Sequence, residues 1–399
     1  MSQLTQIHYD KPVSHSSQQT VWRIPANSKV FSNSMKMLDI KVTTDGVPAN
    51  FPLLIGAYAL VKSVEVKLNS KSCDLWNSKL LLPYMLAQRA DNERQWGVMK
   101  ELYKTGNNLS YDGQTDLFNF SSDLVSSSTS TLNFTFFSDL LAKIGIIDDV
   151  LELIVTWETD KAKIFVPTTA TVVNVYTIDP PYLSYETVDM DLKQPEIVYF
   201  RQWITDQFNI PAVAAAADQT ATKRTENLSN AFNSKFVSKV MFINQPADIA
   251  GASQNSGSVY VSEIDLYKKF GKFLSIPMIK ESFNISVNGR AVYTSNSNTN
   301  DASKLSMCVD SWGAACLLSN SFFHSKAGTV NGLNSAGNIN GFSSFGACEL
   351  NQRINKQLQI SYQRTSDDTG LQTAFNQPMI LSCIGEVLTS LQKGVKVDL

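Results

Sequence analysis

Residues 132–157 read LNFTFFSDLLAKIGIIDDVLELIVTW, and this stretch decides the fold. It begins as a strand, because the apolar residues Leu132, Phe134 and Phe136 alternate with polar ones and successive side chains of a strand point to opposite faces. A turn or short helix is expected over residues 138–147. The first part of the stretch therefore predicts a strand with one buried face.

A second strand completes the stretch, and it also has one apolar face. Apart from Ile154, the apolar residues alternate with polar ones, and they are Leu151, Leu153, Val155 and Trp157. Two strands that each bury one face need an opposing layer, so the pair predicts a β-sandwich. A similar strand, LQISYQ, recurs at residues 358–363. This doubling indicates two sandwiches in one chain.

The composition agrees with two compact β domains. The chain has 399 residues, which suits two domains of ~200 residues better than one hydrophobic core. It is 43% hydrophobic and 18% charged, which excludes disordered and fibrous classes. Lysine plus arginine total 34 and aspartate plus glutamate 36, for a net charge of −2. A specific nucleic-acid partner is not expected, since such a protein would display a basic face.

The sequence predicts a soluble protein made without a secretory signal. The first thirty residues are polar and contain no apolar signal-peptide core. The longest mainly apolar run, residues 51–61, contains Pro52 and Gly56 and is shorter than the ~20 residues of a membrane span. Five cysteines without a Cys-x-x-Cys pattern predict reduced, mostly buried thiols in a cytosolic or nuclear compartment. They are Cys73, Cys308, Cys316, Cys348 and Cys383.

We expect three segments. Residues 1–19 are polar and aperiodic, which predicts an N-terminal arm that is ordered only when something holds it. Residues 20–180 form the first sandwich, with a hairpin that turns at Asn69-Ser70. Its end is placed at Pro180-Pro181, because a proline pair cannot continue a central strand. Its strand at residues 35–44 is expected to bury Leu38, Ile40 and Val42, and an amphipathic helix is expected within residues 75–103.

Residues 181–399 form the second sandwich. Its clearest signal is Asn288-Gly289 between alternating apolar residues, which predicts a tight hairpin with two positive φ angles. Residues 211–231 are predicted to be an insertion between two strands, and residues 263–273 a helix. The Gly, Asn and Ser-rich tract at residues 325–348 is predicted to be a long functional loop.

No catalytic, cofactor-binding or metal-binding residue is predicted, so the chain is not predicted to be an enzyme. The three histidines, His8, His15 and His324, are too few and too scattered for a metal site built from several strands. The adjacent aspartates at 148–149 and 367–368 point apart on a strand, which argues against a shared glycosidase site. The six tryptophans are expected to pack in cores or interfaces.

The pattern of strand, turn and helix resembles a double jelly-roll major capsid protein of tailless icosahedral double-stranded DNA viruses. The residues that carry the resemblance are GAYALVKSVEVKL at 56–68, CDLWN at 73–77, and residues 134–157. The resemblance is strongest to the compact versions found in Polinton-like viruses and virophages. It implies a mainly β fold of two tandem jelly-roll sandwiches with short helices in the connecting loops.

The resemblance also implies a function. Two upright jelly rolls per chain and three chains per capsomer would give a pseudo-hexameric tile of the virion shell. The partners would be other copies of the chain, then penton and minor capsid proteins. The polar arm would lie beneath the shell or across to a neighbour, and residues 325–348 would face outward. The alternatives are a carbohydrate- or receptor-binding β-sandwich, such as a spike or lectin, and, third, a glycoside hydrolase.

Overall fold

The structure is a computed structural model. It describes residues 5–45, 49–50, 60–77, 109–112, 117–120, 130–136, 138–164, 166–167, 173–189, 192–210, 222–227, 229–246, 279–294, 345–366 and 379–398. Nearly all the regular elements within these ranges are β-strands.

The first sixteen strands lie in the first half of the chain. They are β1 Thr5–Asp10, β2 Ser14–His15, β3 Gln19–Ile24, β4 Val30–Phe31, β5 Lys36–Thr44, β6 Ala49–Asn50, β7 Val61–Leu68, β8 Lys71–Asn77, β9 Leu109–Asp112, β10 Leu117–Phe120, β11 Ser130–Thr135, β12 Ile146–Ile147, β13 Leu151–Trp157, β14 Val166–Pro167, β15 Tyr176–Ile178 and β16 Tyr182–Val188. The short helices among them are a 3-10 turn at Ser32–Ser34, α1 Asp139–Ile144 and α2 Lys161–Ile164.

The remaining elements lie in the second half. They are β17 Ile197–Ile210, β18 Thr222–Asn227, α3 Ser229–Phe232, β19 Phe236–Pro246, β20 Ile279–Val287, β21 Arg290–Thr294, β22 Phe345–Arg353, β23 Leu358–Ser366, β24 Met379–Gln392 and β25 Val395–Asp398.

Four antiparallel sheets form two sandwiches with the same strand order. In the first sandwich the sheets are β1-β16-β5-β11 and β3-β13-β7-β8, to which β2, β4, β12 and β15 are added, while β9-β10 and β6-β14 form separate two-stranded sheets. In the second they are β17-β24-β19-β22 and β18-β23-β20-β21. When the eight main strands of either sandwich are numbered along the chain, one sheet is 1-8-3-6 and the other 2-7-4-5. This order defines a jelly roll, so the predicted fold class is confirmed.

The N-terminal residues differ from the prediction of an arm. Thr5–Asp10 is the first main strand of the first jelly roll and pairs with β16 along its whole length. The ring of His8 stacks on Tyr185 with 5.0 Å between centroids. An edge strand is covered on one side only, so its polar residues are tolerated and its alternation is weak in the sequence. The strand was missed for that reason.

The sheet pairing bears on the boundary that was predicted at residue 180. Strand β16, Tyr182–Val188, pairs with β1, β4 and β5 and therefore lies in the first sandwich. Pro180-Pro181 separates β15 from β16, two strands of one sheet, so the proline pair breaks a strand and not a domain. The sheet pairing favours a division between Val188 and Ile197, and the extents of the domains stay a prediction.

Other local predictions have mixed outcomes. Both hairpins are confirmed, since Asn69, Ser70, Asn288 and Gly289 all have positive φ angles. Residues 211–231 were predicted to be an insertion, but they contain strand β18 and helix α3.

In β5, Ile40 and Val42 are buried as predicted, but Met37 is buried in place of Leu38. Asp39 has a φ of 57°, and the pairing with β11 shifts there, so a bulge moves the alternation by one residue. The helix expected within 75–103 lies outside the described residues beyond Asn77, and residues 75–77 belong to strand β8. The helix expected over 263–273 lies wholly outside the described residues. Of the 325–348 tract, residues 345–348 belong to β22 and the rest lies outside them.

Antiparallel pairing puts alternate connections at opposite ends of each sandwich. One end, called the short-loop end, joins strands 2–3, 4–5 and 6–7. In the first sandwich the Asn69 amide donates to Val150 O at 2.9 Å there, and in the second the Asn288 amide donates to Gln357 O at 2.9 Å. The opposite strand ends, called the long-loop end, are joined by longer segments such as residues 78–129 and 295–344.

Each sandwich has large side chains in its interior. In the first, Trp22 and Trp157 are fully buried, and the Trp157 indole donates to Thr20 Oγ1 at 2.9 Å. Strand β13 alternates as predicted, with Leu151, Leu153, Val155 and Trp157 all buried. In the second, the Phe232 ring is buried directly over Gly385.

Candidate functional site

The most elaborate polar cluster of the described residues lies where the two sandwiches meet. This contact, called the junction, joins the short-loop end of the first sandwich to the start of β17 and to the C-terminal hairpin of β24 and β25. Its defining residues are Asp74, Ser138, Asp139, Asp149, Gln194, Val198, Phe200, Arg201, Gln202 and Leu391.

The centre of the junction is the carboxyl group of Asp74 on β8. It is 7% exposed, accepts from Ser138 Oγ at 2.5 Å, and accepts from Gln202 Nε2 at 3.1 Å. Burial raises the pKa of Asp74 above its ordinary value of 3.8, although the two hydrogen bonds and nearby Lys396 act to lower it. Gln202 Nε2 also donates to Cys73 O at 3.0 Å, so the outer edge of β8 is covered by the second sandwich.

Helix α1 presents its N-terminus to the junction. Ser138 caps the helix, because its Oγ accepts from the Leu141 amide at 3.2 Å while donating to Asp74. Asp139 in the first turn accepts from the Arg201 amide at 2.7 Å and forms an ion pair with Lys143 at 2.8 Å. The helix predicted between the two strands of residues 132–157 therefore connects the sandwiches.

The segment between the sandwiches is also fastened to this end. Gln194 Oε1 accepts from the amides of Asp148 and Asp149 at 3.0 and 3.3 Å, and its Nε2 donates to Asp149 Oδ2 at 2.9 Å. The Lys393 amide donates to Glu196 O at 2.7 Å. Since the segment enters the short-loop end of both sandwiches, those two ends lie side by side.

Apolar packing completes the junction. Val198, Phe200 and Leu391 of the second sandwich are buried in the hydrophobic cluster of the first. Beside them, Glu386 is 3% exposed and its Oε1 accepts from Ser238 Oγ at 2.6 Å. Arg201 Nε lies 3.4 Å from the same oxygen. The buried charge is thus paired and hydrogen-bonded, as its desolvation requires.

The residues weighed as chemical candidates have structural roles. His8 bonds Thr187 Oγ1 at 2.8 Å, and His15 bonds Thr20 Oγ1 and Ile178 O at 2.8 and 2.9 Å. Within the described ranges, no three His, Cys, Asp or Glu side chains are grouped as a metal site would need. His324 and the aspartates at 367–368 lie outside those ranges.

The cysteines that the structure describes fit the prediction of buried thiols. Cys73, Cys348 and Cys383 are free and buried. Burial raises the pKa of all three, to about 12 for Cys348, so the thiols stay protonated and unreactive. Cys308 and Cys316 lie outside the described residues. In the part of the chain that is described, no helix has the length and apolar character of a membrane span.

The junction was not predicted from the sequence. Asp74 lies within CDLWN at residues 73–77, and the sequence pattern assigned no site role to it or to Gln202. An acidic residue between two apolar ones on a strand was the available signal, because a buried carboxyl needs a partner from elsewhere in the chain. The arrangement fastens the two sandwiches together through buried hydrogen bonds and apolar packing.

No protein-family model and no curated protein sequence matches the chain. Solved structures do match it. A chain in the cryo-EM structure of the Sputnik virophage has a TM-score of 0.62 and 10% identity, covering 99% of this chain and 88% of that one. A chain of the PBCV-1 virus capsid has a TM-score of 0.59 and 10% identity, covering 100% and 97%.

The mavirus major capsid protein has a TM-score of 0.57 and 8% identity, covering 98% of this chain and 90% of that one. The similarity therefore spans both sandwiches and is not limited to one jelly roll. At 8–10% identity it establishes the fold. The chain has the double jelly-roll fold of virus major capsid proteins.

Proposed function

We propose that the chain is the major capsid protein of an icosahedral double-stranded DNA virus, and that three copies form a pseudo-hexameric capsomer. The observation that carries this proposal is the repetition of one jelly-roll plan, with identical strand order, in two sandwiches joined at the same end. The full-length similarity to a protein described as a major capsid protein supports it.

The geometry of the junction suits a tile. The hydrogen bonds that fasten the two short-loop ends together are compatible with sandwiches that stand side by side in the same direction and present the same set of strand ends to each surface of the tile. Three such pairs arranged around an axis place six similar sandwiches in a ring, which packs in a hexagonal sheet. In this arrangement the long-loop end faces out of the shell.

The partners follow from the same proposal. The chain binds its own copies first, then neighbouring capsomers, and penton and minor capsid proteins at the positions that a hexagonal sheet cannot fill. It is a structural protein of the virion, without catalytic activity, made in the host cytoplasm. The buried protonated thiols are compatible with a reducing compartment.

The test is the mass of the purified protein in solution. Multi-angle light scattering at micromolar concentration is expected to give three times the mass of the chain. A monomer would contradict the proposal. Binding on a glycan array by a protein that stays monomeric would instead support the carbohydrate-binding alternative.

A further inference from the structure

The first main strand of each sandwich carries the same exposed pair of residues. On β1 these are Ile7 and Tyr9, which are 57% and 61% exposed. On β17 they are Ile197 and Tyr199, which are 52% and 55% exposed. In both sandwiches an isoleucine and a tyrosine two positions later therefore point to solvent from one face of the strand.

The residues that pair with them on the eighth strand also correspond between the two sandwiches. Tyr9 lies opposite Ser184 of β16, and Tyr199 lies opposite Ser390 of β24. Ile7 lies opposite Glu186, and in the second sandwich Gln392 lies opposite Ile197. Each sandwich thus has an exposed Ile-x-Tyr on its first strand, paired with Ser-x-Glu or Ser-x-Gln on its eighth strand, although Ser390 itself is buried. We call these surfaces the twin patches.

The second patch extends further across its sheet. Val397 pairs with Ser390 and Val395 pairs with Gln392, so both valines flank the polar row from the other side. They are 38% and 43% exposed. The second patch therefore has four exposed apolar side chains, on the two strands that flank β24, and a group of exposed apolar side chains favours an interaction site.

The second patch borders the junction without taking part in it. Val198 and Phe200 alternate with Ile197 and Tyr199 along β17, and they are buried against the first sandwich. One face of β17 is thus already buried in the contact between the two jelly rolls. The other face, at the same short-loop end, is open within the chain.

We infer that the twin patches are the surfaces by which one capsomer binds the next, and that their occupant is a second copy of this chain. This inference rests on the proposed function. A surface that recurs at equivalent positions of two different sandwiches needs a partner that meets both, and near-sixfold neighbours in a sheet of identical tiles do so. Tyrosine and isoleucine with few charges also suit the centre of a protein interface.

The test compares a double variant with a matched control. Tyr9→Ser combined with Tyr199→Ser removes both aromatic rings. Val175→Ser changes a residue that is 59% exposed at the long-loop end, away from the patches. Light scattering measures the trimer, and sedimentation velocity with negative-stain microscopy measures association of trimers into sheets across protein concentration.

We expect the double variant to remain trimeric with an unchanged melting temperature, and its threshold concentration for association to rise roughly tenfold or more. Val175→Ser should associate like the wild type. The inference is overturned if the double variant associates normally, if it loses the trimer, or if wild-type trimers never associate. A wild-type protein that is not a trimer overturns the proposed function, and the inference with it.

Discussion

The two sandwiches share a plan, and among their main strands two differ most in length. The first and eighth main strands have six and seven residues in the first sandwich, β1 and β16, but fourteen each in the second, β17 and β24. The extra length carries Val198, Phe200 and Leu391 into the first sandwich. The asymmetry between the sandwiches therefore lies mainly in the elements that join them.

A second comparison concerns the tight hairpin of each sandwich. Asn69 and Asn288 occupy the same place, and each amide donates to the carbonyl of the residue that precedes the seventh strand. The side-chain oxygen of Asn69 accepts from the Val150 amide at 3.2 Å, and that of Asn288 accepts from the amides of Asn355 and Lys356 at 3.0 and 2.9 Å. The turn and the opposing connection thus stabilise each other in both sandwiches.

The largest effect on the free energy of unfolding is expected from truncating a large buried side chain in the core of one sandwich. Trp157→Ala should lower the free energy of unfolding by about 3–5 kcal/mol, because it leaves a cavity and removes the hydrogen bond to Thr20. Phe232→Ala in the second sandwich should cost a similar amount. Chemical denaturation followed by tryptophan fluorescence and circular dichroism measures both. A loss below about 1 kcal/mol for either variant would contradict the assigned cores.

Overpacking the second sandwich should have the next largest effect. A Cβ added at Gly385 would lie 2.2 Å from Cε1 of the fully buried Phe232 ring, so the ring would have to shift. Gly385→Ala should therefore cost about 1–3 kcal/mol in thermal or denaturant unfolding. Combining it with Phe232→Leu should cost less than the sum of the two single changes, because the smaller side chain makes room. Additive losses would show that the two residues do not touch.

A smaller effect on stability is expected from substitutions in the two hairpin turns, which can be compared with each other. Gly289 has a φ of 84° and no atom near its missing Cβ, so Gly289→Val strains only the backbone and should cost about 1–3 kcal/mol. The equivalent Ser70 already has a φ of 63°, so Ser70→Gly should be close to neutral or slightly stabilising. Melting temperatures test both. Equal changes in melting temperature for the two variants would contradict the equivalence of the two turns.

The last prediction concerns how the contribution of the junction to stability depends on pH. Because the folded pKa of Asp74 is raised above 3.8, its contribution to stability is fully present below that pH and is lost as the pH rises through the folded pKa. Asp74→Asn cannot ionise. Its melting temperature minus that of the wild type should therefore increase as the pH rises from 4 toward 8, and a difference that falls over this range would contradict the assignment.

Much of the fold could be predicted because its signals are local. Strict alternation at Leu151–Trp157 and positive-φ turn residues at Asn288-Gly289 depend only on neighbouring residues. Strand β1 escaped prediction because an edge strand buries little, and Pro180-Pro181 misled because a proline pair breaks a strand wherever it lies. The chain could be assigned two sandwiches from sequence, but not their division.

The junction could not be predicted because its partners are distant in sequence. Asp74, Ser138 and Gln202 come from three elements, and nothing local to any of them shows that their polar atoms meet in a buried site. The twin patches were missed for a related reason. Ile-x-Tyr is too short to be noticed as a repeat until the pairing with Ser184 and Ser390 shows that the positions are equivalent.

The most direct measurement is a cryo-EM projection of the purified particle along its axis. The account predicts six similar densities in a near-hexagonal ring, contributed by three chains, with each chain spanning two adjacent densities. A particle with three separate lobes, or a chain whose two halves do not resolve into two sandwiches, would contradict it.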